Sequence, residues 1–338
     1  SSYEPIPAEY FRDFNGQVQP YLDRLTVPEP EEFAVGGTYW EEADIRIALD
    51  LRGGNALARP VVLRPDLVSG QPSIDEGLTA ELSQCLAEDA NRVYDEGSGS
   101  DRLRPYLDLY GDEVVRAVEY SASFRNNREA GVQQKMLEVD VRGLLECLED
   151  ERFEFFADRD SRFQTIGSDR NGGLVWYLTV LGPDADDASS GYGVRVRNGA
   201  DLSAPSPGSP EIHGLTVVSD QAAFIQGDYN LNPGWRPAAF IADTVNILSS
   251  AWDDDVDSTL GLDQRIPSPT TVNAAFLAGT ETTGGADGEE GRSGAYSGGL
   301  ENYPRFHERW SGTVFTYRGS FVSLGEPQHA NGPWRIGN

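Results

Sequence analysis

Residues 214–248 contain four short apolar runs in close succession: Leu215-Thr216-Val217-Val218, Ala223-Phe224-Ile225-Gln226-Gly227, Ala239-Phe240-Ile241-Ala242 and Val245-Asn246-Ile247-Leu248. Two more follow, Val272-Asn273-Ala274-Ala275-Phe276-Leu277-Ala278-Gly279 and Val314-Phe315-Thr316-Tyr317. Each has strand length, several end on Gly or Asp, and Asn, Pro and Gly fill the gaps, so each predicts one strand closed by a turn. A long succession of this kind predicts stacked parallel strands. The fold class expected is therefore α+β, mainly β, with a C-terminal β-helix or β-solenoid-like region.

Working upstream, Leu174 to Leu181 is the strongest strand signal in the chain, and Gly193 to Gly199 predicts a second strand at the entry to the repetitive region. Ile45, Ile47 and Leu49 alternate with polar or small neighbours between Ala43 and Asp50, the period of a half-buried strand. Leu78 to Ala90 predicts a helix, and Met136 to Val141 opens a strand or helix start that continues as a helix through Leu148. Ser1 to Val35 is Pro-rich and acidic and reads as an extended arm with a short amphipathic helix near Pro7 to Leu25. Gly279 to Gly299 reads as a flexible excursion. These boundaries give an arm over 1–38, a mixed α/β portion over 39–170 and a β-solenoid-like region over 171–338.

The chain of 338 residues carries 55 acidic against 27 basic residues, a formal net charge of −28, and Lys135 is its sole lysine. Arginine pairs bidentately with carboxylates where an ammonium offers only a strongly hydrated point charge. At molar salt the Debye length falls to roughly 3 Å, so the self-repulsion of such a surface is screened. The combination predicts adaptation to high salt; a merely acidic protein from a GC-rich genome is the alternative. Nucleic-acid binding is disfavoured, because phosphate contacts need clustered Lys or Arg. No run of about 18 apolar residues is present to cross a bilayer. The opening Ser1-Ser2-Tyr3-Glu4, without Met or a signal segment, predicts a mature or trimmed product.

Candidate chemistry is thin. Cys85 and Cys147 are read either as two buried thiols or as one disulfide in an oxidising compartment, and their spacing fits no zinc pattern. His213, His307 and His329 are dispersed and read as surface or packing residues. On a β-helix, a polysaccharide-cleaving enzyme would align carboxylates across adjacent rungs, which singles out Asp228, Asp243 and Glu301 for inspection. With 55 acidic residues, adjacency by chance is expected, so no catalytic residue is assigned. Asp253, Asp255 and Asp257 are the candidate calcium ligands, close-set hard oxygens without the turn Gly or distal Glu of an EF-hand. The preferred reading there is a solvated acidic loop, and no other cofactor is expected. Trp235, Trp252, Trp310 and Trp334 are expected to serve as core or cap before they serve as sugar-stacking platforms.

Several stretches carry a resemblance to a family. Gly214-Leu215-Thr216-Val217-Val218, Phe224-Ile225-Gln226-Gly227-Asp228-Tyr229-Asn230, Pro237 to Asp243, Leu248 to Trp252, Thr271 to Gly279 and Tyr296 to Phe306 resemble segments of PilX-like minor pilin or pilus-assembly proteins of bacterial type IV pili. Tyr39 to Arg46, Phe124 to Glu129 and Met136 to Val141 are similar as well. The resemblance implies a non-enzymatic extracellular structural protein, the globular subunit or a minor component of a pilus-like surface filament, adhesive in some settings. It implies as partners other copies of this chain or other pilin subunits. Family members begin with an apolar helix that does not stand at the start of the sequence given, which motivates the expectation that it was removed or that a separate short chain supplies it. The arm, Ser1 to Val35, is then the expected docking element. The alternative from a different class is a secreted β-helix protein that binds or cleaves carbohydrate.

Overall fold

The computed structural model describes residues 35–54, 57–65, 72–87, 106–107, 113–114, 116–127, 131–149, 173–183, 190–203, 212–232, 235–279 and 304–324. A short helix α1 (Thr38–Glu42) leads into strand β1 (Ile45–Asp50), followed by β2 (Arg59–Pro65), β3 (Pro72–Asp75) and helix α2 (Glu76–Leu82). Small strands β4 (Tyr106–Leu107), β5 (Glu113–Val114), β6 (Val118–Ser121), β7 (Arg125–Asn126) and β8 (Val132–Gln133) come next, then β9 (Lys135–Asp140) and helix α3 (Val141–Glu149). The remainder is strand-dominated: β10 (Gly173–Leu181), β11 (Tyr192–Asp201), β12 (Gly214–Val218), β13 (Ala222–Asn232), β14 (Ala238–Ala242) and β15 (Thr244–Leu248). After helix α4 (Asp254–Asp257) come β16 (Thr270–Asn273), β17 (Ala275–Ala278), β18 (Arg305–Phe306), β19 (Phe315–Arg318) and β20 (Phe321–Ser323). The described chain is thus mainly β with few helices.

The strands fall into two large sheets. The first runs β20-β17-β14-β12-β10-β1-β2-β3, and the second runs β18-β15-β13-β11-β9-β6 with β16 and β19 attached beside β13. From β9 through β15 successive large strands alternate between the two sheets, and each lies parallel to the strand two before it. Antiparallel strands close one end: β2 and β3 beside β1, and β6 beside β9. Neither sheet closes on itself among the described residues.

Register turns the sequence pattern into rows. In the first sheet Ile45, Trp176, Val217, Phe240, Phe276 and Phe321 are successive lateral partners. Val118, Val139, Val196, Ile225, Ile247 and Phe306 form the matching row of the second sheet. Both rows belong to one apolar core. Burying each large apolar side chain contributes about 1.5–3 kcal/mol, so these rows supply the main drive for stacking. The core runs across residue 170, because β1 pairs with β10 and β9 with β11.

Several expectations change in detail. The run Val272 to Gly279 is two strands, β16 in the second sheet and β17 in the first, parted at Ala274. The corner is held by two asparagines: Asn230 Nδ2 donates to the Asn273 carbonyl at 2.8 Å and Asn273 Nδ2 to the Asn230 carbonyl at 2.9 Å. Asn230 sits at φ 55°, a left-handed conformation that Asn tolerates. Just before it, Gly227 at φ 78° accompanies a bulge, where the register against β11 skips from Gln226 to Tyr229. The helix expected over Leu78 to Ala90 ends at Leu82. The chain then leaves the helix to bridge Leu86 to Arg116, and Cys85 forms a disulfide with Cys147. The amphipathic helix near Pro7 to Leu25 and most of the Gly279 to Gly299 excursion lie outside the described residues.

Candidate functional site

The carboxylates singled out for catalysis that fall among the described residues, Asp228 and Asp243, occupy different strand contexts. Asp228, in β13, is half-buried and its Oδ1 accepts from the Thr271 N–H at 2.7 Å, tying β16 to β13. Asp243, at the turn from β14 to β15, is 4% exposed, and its carbonyl accepts from Gly279 N at 2.9 Å. Glu301 lies outside the described residues. Asp253 caps α4, its Oδ1 accepting from Asp255 N at 2.9 Å and Val256 N at 3.2 Å, while Asp257 Oδ2 accepts from Asp253 N at 2.8 Å. These are the bonds an N-cap acid makes to orphan helix donors. Asp255 is exposed. Among the described residues no group of three or more His, Cys, Asp or Glu is placed to hold a metal ion.

The most developed polar constellation lies elsewhere, on the outer face of the second sheet. Glu119, Glu138, Arg195, Phe224, Asn246 and Arg305 form one lateral row across β6, β9, β11, β13, β15 and β18. Strand alternation turns them away from the apolar core, yet Glu138, Arg195, Phe224, Asn246 and Arg305 are all at most 2% exposed. Two loops cover them. Phe124 and Trp252 pack with Met136, Ala222, Phe224 and Leu248 into a second apolar cluster. His307 sits among Phe124, Phe224 and Trp252 with ring centroids 5.5, 5.7 and 6.3 Å away, and its Nε2 meets Asn246 Oδ1 at 2.9 Å.

Asp254, the central member of the acidic run, is the electrostatic keystone of this cover. Arg195 grips it with both terminal nitrogens, at 2.8 and 2.7 Å, and donates also to Glu138. Trp252 Nε1 and Ser123 Oγ complete the carboxylate's shell at 2.7 and 3.2 Å. Burial pushes the Asp254 carboxyl up, but the Arg195 charge and these hydrogen bonds outweigh it and hold the group below the ordinary carboxylate value. Arg197 pairs with Glu138 at 2.9 Å and stands 4.0 Å from Glu119. Arg195 and Arg197 thus stand among three carboxylates, and Glu119 also accepts from the Arg116 N–H at 3.4 Å. Burial, reinforced by the Glu138 charge and opposed by Arg197, pushes the Glu119 carboxyl up to about 7.

Behind β6 lies a cleft of about 320 Å³ lined by Arg59, Glu76, Thr79, Ser83, Arg116 and Val118, among others. Arg59 is committed to Glu76 through Nη2 at 2.8 and 3.0 Å. Thr79 Oγ1 accepts from Val62 N at 3.0 Å, and Ser83 Oγ donates to the Ala80 carbonyl at 2.6 Å. Among the described lining residues the hydroxyls stand without a histidine beside them.

Of the remaining sequence candidates, His213 is exposed and His329 lies outside the described residues. Trp252 is buried, Trp310 packs against Phe306 and Phe315 at 5.6 and 5.5 Å, Trp235 is 61% exposed, and Trp334 lies outside the described residues. The residues missed by sequence reading are Glu119, Glu138, Arg195 and Arg197. Their signal was the alternation Leu137-Glu138-Val139-Asp140 against Val194-Arg195-Val196-Arg197, acidic in one strand and basic in the other. No protein-family model, curated protein or solved structure matches this chain.

Proposed function

We propose that the strands from β9 onward form a β-solenoid, and that the protein is a non-enzymatic extracellular structural component of a PilX-like, type IV pilus-like surface filament from a salt-adapted microbe. The observation that carries this reading is the unbroken lateral row Trp176, Val217, Phe240, Phe276 and Phe321, in which each strand bonds in parallel to the next. Stacking of that kind makes a stiff, quasi-one-dimensional body suited to a load-carrying part. The Cys85–Cys147 disulfide supports a location outside the reducing cytosol. The burial of Asp243 and the bond from Thr271 to Asp228 weigh against the carbohydrate-cleaving alternative, which needs those carboxylates open to a groove.

The test is electron microscopy of material sheared from the producing cells at their native salt, with mass spectrometry of the filament band. A regular filament containing this chain supports the proposal. Recovery only as a soluble monomer, with filaments free of the chain, overturns it and directs attention to polysaccharide binding.

A further inference from the structure

The second sheet ends at β6, a strand of four residues whose sole ladder partner among the described residues is β9. Its start is anchored beside the Cys85–Cys147 disulfide: Ala117 N donates to the Cys85 carbonyl at 3.0 Å, and the Ala117 carbonyl accepts from Asp140 N at 2.8 Å. Beyond β6 the chain folds over the outer face of the sheet and buries the Phe124 ring against Met136, Phe224 and Trp252. Polar bonds fasten this strap to the segment around α4. Ser123 Oγ donates to Asp254 at 3.2 Å, Arg125 N to Ser258 Oγ at 2.9 Å and Asn127 Nδ2 to the Ser258 carbonyl at 3.2 Å. Residues 118–127 therefore form an edge strap, hinged at Ala117 and laid across the buried charge row.

We propose that this strap is a pH-gated cover, closed in acid and released toward neutral pH as Glu119 gives up its proton, which bares the edge of β9. The groups around Glu119 set the sign. Glu138 on β9 is its direct cross-strand partner and a like charge. Arg197 of β11 stands 4.0 Å from Glu119 but 2.9 Å from Glu138, and Arg195 is held between Glu138 and Asp254. Asp140, the next outward residue of β9, accepts from Asn198 Nδ2 at 3.0 Å and Gly143 N at 2.8 Å. Arg116, in the strap's own lead-in, adds its N–H and a favourable charge. On β2, Arg59 and Arg64 pair with Glu76 and Asp75. A carboxylate formed at 7% exposure beside Glu138 is thus poorly solvated in the closed strap and hydrated in the open one. Burial lifts the closed-state carboxyl from 4.5 to about 7, and release returns it to the ordinary value. Below pH 4.5 both states hold the proton, and between 4.5 and about 7 opening expels it, so each pH unit favours the open strap by about tenfold. Above that range the gain levels off. Opening can be local, because the strands from β9 onward pair with one another without β6. Once β6 leaves, the backbone groups of β9 are a ready template for another strand. The inference stands on this sheet edge and does not depend on the filament reading.

Hydrogen exchange of the full chain at constant native salt, read by mass spectrometry and corrected for the intrinsic pH dependence of amide exchange, tests the gate. Protection of the β6 amides should fall by about 50-fold between about pH 5 and pH 7.5, while that of β13 and β15 stays unchanged. In Glu119→Gln, whose side chain stays neutral, β6 protection should be flat across the same range. A flat profile in the wild type, an equal fall in β13 and β15, or a fall that persists in Glu119→Gln overturns the proposal.

Discussion

Glu119→Gln removes the ionisable proton at the least compensated position of the buried charge row, and its effect has a definite sign. The carboxyl is 7% exposed, and burial is the first cause lifting it from 4.5 to about 7 in the folded protein. Below about pH 4.5 the group is protonated in folded and unfolded chains alike. Between there and pH 7 the unfolded chain ionises while the folded one holds its proton, so the stability contribution of the neutral form is lost progressively as pH rises. At about 1.4 kcal/mol per pH unit, the interval from 4.5 to about 7 corresponds to about 3 kcal/mol. Glutamine mimics the protonated acid at every pH, and the 4.0 Å approach to Arg197 is too long to return much of that energy when lost. Urea unfolding at fixed salt should find wild type and variant equal near pH 4.5, with the variant more stable by up to about 3 kcal/mol at pH 8. Asp254 and Asp50, whose folded values are lowered, lose their contributions in more acid solution and cancel in the difference. A difference that is flat from pH 4.5 to 8, or a variant less stable at pH 8, refutes the reasoning.

Arg195→Met leaves Glu138 and Asp254 buried without their shared guanidinium and should cost about 3–5 kcal/mol; adding Glu138→Gln should recover part of it in a double-mutant cycle read by urea midpoint. Reduction of Cys85–Cys147, separated by 62 residues, should lower stability by about 4 kcal/mol on the loop-entropy account, seen as a drop in Tm on adding a reductant. Asp253→Ala should cost about 1 kcal/mol as a lost helix cap. Chelation at constant ionic strength should leave Tm unmoved, whereas a chelator-dependent fall would restore the calcium reading of Asp253, Asp255 and Asp257.

The strands were legible where one face of a run had to be apolar. Leu215 to Val218, Ala239 to Ala242 and Val245 to Leu248 each became a strand within a residue of the expected bounds. What periodicity could not carry was the assignment of a strand to a sheet. The run Val272 to Gly279 has one polar residue, Asn273, beside Ala274, and a lone Asn within an apolar run reads equally as an ordinary outward position of a single strand. The mark is polar: Asn230 and Asn273, a corner apart in space and 43 residues apart in sequence, exchange bonds with each other's carbonyls. The buried charge row was hidden for a related reason. Charged residues alternating with Val normally denote a solvent face, and only the partner strand and the loops bearing Phe124 and Trp252 convert that face into interior.

That conversion changes how the arginine bias of the chain is understood. Arg195, Arg197, Arg265 and Arg305 are each less than 9% exposed, so part of the arginine content is internal. Arg195 reaches two carboxylates at once, and Arg265 donates to the Leu260 and His307 carbonyls at 3.1 and 2.8 Å. A lysine at either place has one nitrogen to aim and a larger hydration cost to enter the interior. The preference for arginine at these positions therefore follows from fork geometry under a loop, whatever the salt outside. The proposed salt adaptation would rest instead on the exposed carboxylates. Arginine replaced by lysine at Arg195 should accordingly destabilise the protein to a similar extent in dilute and in molar salt, because buried pairs are screened far less than surface ones. A penalty that vanishes at high salt would mean the row behaves as surface charge and would return the arginine bias to the solvent-facing explanation.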